Sequence, residues 1–174
     1  MAHPNQITFC EKVKVLFPDS FKRKDGLDGG SLDINGNNRY LFTDCKYIGI
    51  DVGEGNNVDK VCPIHKYKGR FDTIISTECF EHDMYYKESL INIIKMLRKG
   101  GLFLFTCATT ERVQHGTTSH SPQSAPLIND IPEWKDYYKN LTESDIKEAI
   151  NIEVFKDYHF ETNGMDLYFW GIKR

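Results

Sequence analysis

The sequence predicts an α/β fold, a doubly wound sheet that is mostly parallel and carries an antiparallel pair at its C-terminal edge. Three observations lead there. Two short apolar runs, FDTIIS at 71–76 and GLFLFT at 101–106, have the composition of strands buried on both faces of a parallel sheet. Between them Leu90, Ile93, Ile94 and Leu97 recur at helical spacing, so strand, helix and strand follow in the order of a right-handed βαβ unit. Near the end, Glu153–Phe160 and Asp166–Ile172 are β-rich and close enough to pair antiparallel.

The other elements follow from spacing and punctuation. Ile7, Cys10, Val13 and Phe17 predict an amphipathic helix over about residues 5–17, ended by Pro18 and packed on the sheet. Residues 26–55 hold seven of the thirteen glycines and bracket two strands. YIGID at 47–51 is a good strand that stops at an acid; GLDGGS at 26–31 is a poor one on propensity, because glycine offers no side chain to pack. Arg98 and Lys99 suit the negative end of the helix before them, and Gly100 is expected to stop it. Residues 108–141 hold three of the six prolines and read as a long irregular insertion, more often a lid than slack. Thr142 with Asp145 forms a capping-box pattern opening a helix that buries Ile146, Ala149 and Ile150. No internal repeat or low-complexity tract interrupts the chain, so residues 1–174 are read as a single domain.

Composition excludes several classes. At 40% hydrophobic and 27% charged residues, the chain is neither disordered nor collagen-like. A net charge of -3 argues against a protein whose affinity comes from neutralising nucleic-acid phosphates. Residues 1–24 carry five Lys/Arg against two acids, a bias that a solvated helix face explains. The cysteines at 10, 45, 62, 79 and 107 are odd in number, form no Cys-x-x-Cys pair and have no histidine at zinc-ligand spacing. Neither a disulfide framework nor a metal site is expected from them. The N-terminal stretch lacks a signal-length apolar core, and Leu102–Phe105 is far short of a membrane span, so the expectation is a cytoplasmic protein with no membrane partner. In that setting the sequon at Asn140 has no consequence.

In an open parallel sheet the ligand sits beyond the carboxyl ends of the strands, where strand order reverses. The turn after the first strand, Asp28 to Gly36, is rich in residues that tolerate positive φ and let backbone approach a ligand. About twenty residues on, YIGID ends in Asp51, whose carboxylate can accept two hydrogen bonds from the vicinal hydroxyls of a ribose. These two features fit either a dinucleotide or another adenosine-containing cofactor.

Further motifs narrow the choice. GGSLDING at 29–36, YIGIDVGEG at 47–55, FDTIISTECFEH at 71–82, the helix ending LRKGG at 97–101 and the strand LFLFTCATT follow in order. Together they resemble a class I S-adenosylmethionine-dependent methyltransferase, a Rossmann-like domain with a seven-stranded sheet. Within that family the chain looks most like small members whose first loop reads Gly-Ser-x-Asp-x-Asn-Gly and which carry a His-Gly element after the fifth strand.

The resemblance implies S-adenosylmethionine as cofactor and assigns its contacts. Asp28, Gly30, Ser31 and Asn35 belong to the first loop; Asp51 and Val52 lie at the ribose. Cys62, Pro63 and Ile64, after the third strand, flank the adenine, and Ser76, Thr77 and Glu78 lie beneath the methionine part. One departure is visible: Leu32 and Ile34 stand where the family's later loop glycines would be, leaving Gly36 as the next glycine.

The implied reaction is in-line transfer of a sulfonium methyl group to a small-molecule or sugar acceptor, with a hydroxyl as first expectation. Holding the acceptor in line and stripped of water supplies much of such catalysis. His115, in the insertion, and His82, after the fourth strand, have the intrinsic pKa range of a base for a hydroxyl and are the candidate catalytic residues. Two other readings stand beside this one. A nicotinamide-dependent oxidoreductase shares the loop and the ribose acid but needs a second mononucleotide-binding half. A non-catalytic cofactor-binding partner or sensor domain is favoured by the glycine-poor loop.

Overall fold

A computed structural model describes residues 3–174. Strands β1 (Asp25–Gly29), β2 (Lys46–Asp51), β3 (Lys60–Val61), β4 (Phe71–Thr77), β5 (Leu97–Ala108), β6 (Phe155–Thr162) and β7 (Asp166–Lys173) form one seven-stranded sheet. Its order is β3-β2-β1-β4-β5-β7-β6. The first five strands are mutually parallel, whereas β7 runs antiparallel to both β5 and β6. The expected sheet and its antiparallel edge are therefore present. Helices α1 (Pro4–Leu16), α2 (Tyr86–Met96) and α3 (Glu143–Ala149) complete the domain.

Both sheet faces are covered, as the near-continuous apolar strands require. On one face Phe9, Cys10 and Val13 of α1 pack with Ile75, Leu102 and Leu104. On the other, Leu90, Ile93 and Met96 of α2 and Ile146 of α3 enclose Leu27, Ile74, Phe103 and Phe105. Helix α1 begins on Pro4, where a missing N–H costs nothing, and its buried face is turned from the expected one: Gln6 and Phe9 are buried, while Ile7 is only half-buried. At α3 the capping box forms, with Thr142 Oγ1 accepting from Asp145 N at 3.3 Å and Thr142 N donating to Asp145 Oδ2 at 2.9 Å.

The glycine-rich β1 lies between β2 and β4 despite its poor propensity. A Cβ at Gly26 would lie 2.7 Å from the Phe42 ring, and one at Gly29 would lie 2.7 Å from Ile64, so the bare backbone makes room for the residues covering it.

Gly100 does not stop α2. The helix ends at Met96, and Leu97 is already extended and paired with Phe71. Arg98 is drawn away from the helix end to Asp72 and Asp25, at 2.8 Å each, while Gly100, at φ +75°, lies in the irregular stretch before β5 pairs regularly from Leu102.

Candidate active site

Strand order reverses at β1: β2 and β3 lie on one side, β4 and β5 on the other. At the carboxyl ends of these strands opens a cleft of about 840 Å³, mouth included. Its sheet-side wall includes Asp28, Gly30, Asp51, Val52, Pro63 and Thr77, and the insertion supplies the facing wall through Ser124–Ile128 and Trp134. The predicted lid thus borders the cleft.

The first loop turns at Gly30, whose φ of +76° is left-handed. A Cβ there would lie 2.4 Å from Cys79 Sγ, so both conformation and space require glycine. The N–H groups of Gly30 and Ser31 both donate to the Ile50 carbonyl, at 2.9 and 3.0 Å, binding the turn to β2. Asn57 Nδ2 donates to the Ser31 carbonyl at 2.8 Å, and Ser31 Oγ donates back to the Asn57 carbonyl at 3.1 Å.

Asn35 lies outside this wall. Asp33 accepts from Gly36 N and Asn37 Nδ2, both at 2.7 Å, and the resulting turn leaves Asn35 exposed. Asn37 and Asn38 line the cleft instead. Asn38 Nδ2 donates to Asp28 Oδ2 at 3.1 Å and to Thr77 Oγ1 at 3.0 Å, joining the ends of β1 and β4. Ser76 also misses the cleft: it is fully buried, and its Oγ donates to the Gly29 carbonyl at 2.7 Å.

Two carboxyls define the electrostatics of the wall. Asp28 is 1% exposed; Tyr47 and Asn38 donate to its Oδ2, while its Oδ1 has no partner. Burial pushes its pKa up to about 7, against the pull of those two donors. Asp51 accepts from Leu32 N at 3.0 Å and Val52 N at 2.7 Å, and burial still holds its pKa above the ordinary value. Both oxygens keep lone pairs for a ligand. Cys62, Pro63 and Ile64 follow β3 and line the same cleft.

Glu78 lines the cleft in a left-handed conformation, φ 52°. Thr106 Oγ1 donates to its Oε1 at 2.7 Å, and Arg112 bridges its Oε2, at 3.3 Å, to Asp166. Burial acts to raise its pKa, but His3 and Thr106 beside it hold it below the ordinary range.

His82 lines the cleft and is 6% exposed, whereas His115 stands behind it. Their ring centroids are 5.0 Å apart, edge to face, and Tyr138 is another 5.0 Å from His115. Burial pushes His82 down to about 3 and also lowers His115. Both imidazoles are neutral at pH 7, and a base with a pKa near 3 has little driving force to take a hydroxyl proton. Glu81, beside them, is fully buried with both oxygens unpartnered, and burial raises its pKa to about 8.

Sequence reasoning named the insertion but not which of its residues line the cleft, and it missed Asn37, Asn38, Cys79 and Asp83. Only the Glu81-His82 pair, coupled with His115-Gly116 in the insertion, left a readable signal.

Neither a family model nor the sequence of a curated protein matches the chain. Solved structures do. Burkholderia thailandensis 1,6-didemethyltoxoflavin-N1-methyltransferase, with 1,6-didemethyltoxoflavin and S-adenosylhomocysteine bound, is 16% identical at a TM-score of 0.60, over 99% of this chain and 91% of that one. The N-methyltransferase NodS of Bradyrhizobium japonicum WM9 is also 16% identical at 0.60, over 98% and 97%. Magnesium protoporphyrin IX methyltransferase of Synechocystis PCC 6803, with S-adenosylmethionine bound, is 12% identical at 0.61, over 98% and 80%. The chain has the fold of the class I S-adenosylmethionine-dependent methyltransferases.

Proposed function

We propose that the chain is a methyltransferase that binds S-adenosylmethionine in this cleft and methylates a hydroxyl of a small molecule or sugar. The observation that carries the reading is the buried, unpartnered Oδ1 of Asp28 in the same wall as Asp51, at the strand reversal. An unpaired buried carboxyl oxygen is costly unless a donor arrives, and the ammonium of the cofactor's amino-acid part is such a donor. Asp51 would accept from the ribose hydroxyls, and Val52, Pro63 and Ile64 offer apolar surface to the adenine.

The bound cofactor supplies an electrophilic sulfonium methyl group. The protein's contribution is positioning: Gly30 lets the backbone approach, Glu78 and Thr77 bound the methionine end, and the insertion borders the cleft through Ser124–Ile128 and Trp134. The three neighbours cited carry N1-methyl, N-methyl and porphyrin methyl transfer in their names. Acceptor type therefore varies on this fold, and the hydroxyl here rests on the mild net acidity of the chain, which disfavours a nucleic-acid acceptor.

Calorimetric titration with S-adenosylhomocysteine, with NAD⁺ as control, tests the cofactor; transfer of isotope-labelled methyl to a panel of sugar and phenolic hydroxyls tests the reaction. Saturable NAD⁺ binding without S-adenosylhomocysteine binding would favour the oxidoreductase. Cofactor binding with no transfer to any acceptor would favour the non-catalytic sensor.

A further inference from the structure

Behind the cofactor wall, Glu81, His82 and His115 bring one ligand-type atom each within 4.8 Å of the others. Neither oxygen of Glu81 has a partner, although the residue is fully buried, and Nδ1 of His82 is equally unpartnered. Three polar atoms without partners on two adjoining buried side chains call for a further group. His115 Nδ1 lies 3.0 Å from the Val113 carbonyl; donating its proton there selects the tautomer that leaves Nε2 free, as in metal-bound histidines held by a backbone carbonyl. Gly116, at φ +68°, closes the pocket: a Cβ there would lie 2.5 Å from His82 Cε1 and 3.0 Å from its Nδ1.

We propose that Glu81, His82 and His115 bind one divalent first-row transition-metal ion beside the acceptor side of the cleft. Two imidazoles and one carboxylate suit zinc, iron(II) or manganese better than calcium or magnesium, which prefer all-oxygen shells. Metal–ligand bonds of about 2.0–2.2 Å place ligand atoms about 3–4 Å apart, so a movement of about 1 Å closes the set. His115, half-buried on the insertion, is the member placed to make it. The other acid–histidine cluster, His3, Glu78 and Asp166, already holds the guanidinium of Arg112 against both carboxylates, so each acid has a partner.

The role of the ion rests on the methyltransferase reading. Three protein ligands leave coordination positions open, and on the side of His82, the member that lines the cleft, an acceptor hydroxyl would take one and its pKa would fall. The proton passes to water, the oxygen forms the new bond to the methyl carbon, and the carbon–sulfur bond breaks with its electron pair left on sulfur.

The test uses the full chain, stripped with EDTA and titrated with Co²⁺ while its visible d–d absorption is followed, with Zn²⁺ in competition. One ion per chain is expected. Affinity should fall at least tenfold in His115→Ala and in Glu81→Gln, with S-adenosylhomocysteine affinity unchanged as evidence of an intact fold. Should Glu81→Gln fail to fold, His115→Ala decides alone. No stoichiometric binding by the wild type, or equal binding by a folded His115→Ala chain, overturns the site. An ion bound through these residues without any S-adenosylhomocysteine binding leaves the site standing and removes its proposed role; cofactor binding without the ion does the reverse.

Discussion

Replacing Asp28 by Asn should make the protein more stable and a poorer binder at the same time. The amide keeps the shape of the carboxyl and an acceptor for Tyr47 and Asn38, but it cannot ionise. In the wild type, burial raises the Asp28 pKa from 3.8 to about 7. Well below pH 3.8 folded and unfolded chains both hold the proton, so ionisation costs nothing. As pH rises the unfolded chain ionises first, and stability is lost progressively until the folded carboxyl ionises near pH 7. About three pKa units at 1.36 kcal/mol each make this loss ~4 kcal/mol above pH 7. The stability difference between Asp28→Asn and wild type should therefore shift by about that amount in the variant's favour from pH 4 to pH 8. At roughly 2–4 °C per kcal/mol for a chain of this size, the melting-temperature difference should change by about 8–16 °C. Calorimetric melting of both proteins across that range gives the curve, and titration with S-adenosylmethionine at pH 8 should show binding weakened about 10- to 100-fold by loss of a charge-assisted hydrogen bond. A stability difference constant from pH 4 to pH 8 would refute the reasoning.

Three further substitutions probe the rest of the wall. Asp51→Ala should weaken S-adenosylhomocysteine binding by about 1.5–3 kcal/mol, the scale of hydrogen bonds to a charged group; unchanged affinity in a folded variant removes Asp51 from the site. Gly30→Val should abolish cofactor binding, because a side chain at φ +76° is strained and its Cβ would overlap Cys79; normal binding would mean that the ligand meets the loop elsewhere. Arg112→Met should cost about 3–5 kcal/mol in chemical denaturation, since it leaves Glu78 and Asp166, 3% and 2% exposed at their side chains, without their cation; a loss below about 1 kcal/mol would show that the pair relaxes to solvent.

What could be read from the chain, and what could not, divides by the range of the interactions. Strands β4 and β5 were legible because burial on both sheet faces demands a continuous apolar run, and α3 because its cap is local. Gly100 misled because the partners of Arg98 are Asp25 and Asp72, distant carboxylates that draw it into the sheet rather than onto a helix end. Asn35 was placed in the site by its match to a loop pattern, yet the side chain of Asp33 turns that loop and presents Asn37 and Asn38. Ser76 sits among site residues in sequence, but its strand position aims the hydroxyl at Gly29 within the sheet. The insertion was visible as a proline-containing gap; that Leu127 and Trp134 border the cleft depends on how the segment folds back. Glu81 and His115 are 34 positions apart, so only the folded chain shows them as neighbours.

The most direct test of the central claim is a crystal structure of the chain with S-adenosylhomocysteine. The account predicts the ligand across the ends of β1, β2 and β4, with its ribose hydroxyls on Asp51, its amino group at Asp28 Oδ1, and its sulfur toward the lid. A ligand bound elsewhere, or one in this cleft with Asp28 and Asp51 both out of hydrogen-bond reach, would contradict it.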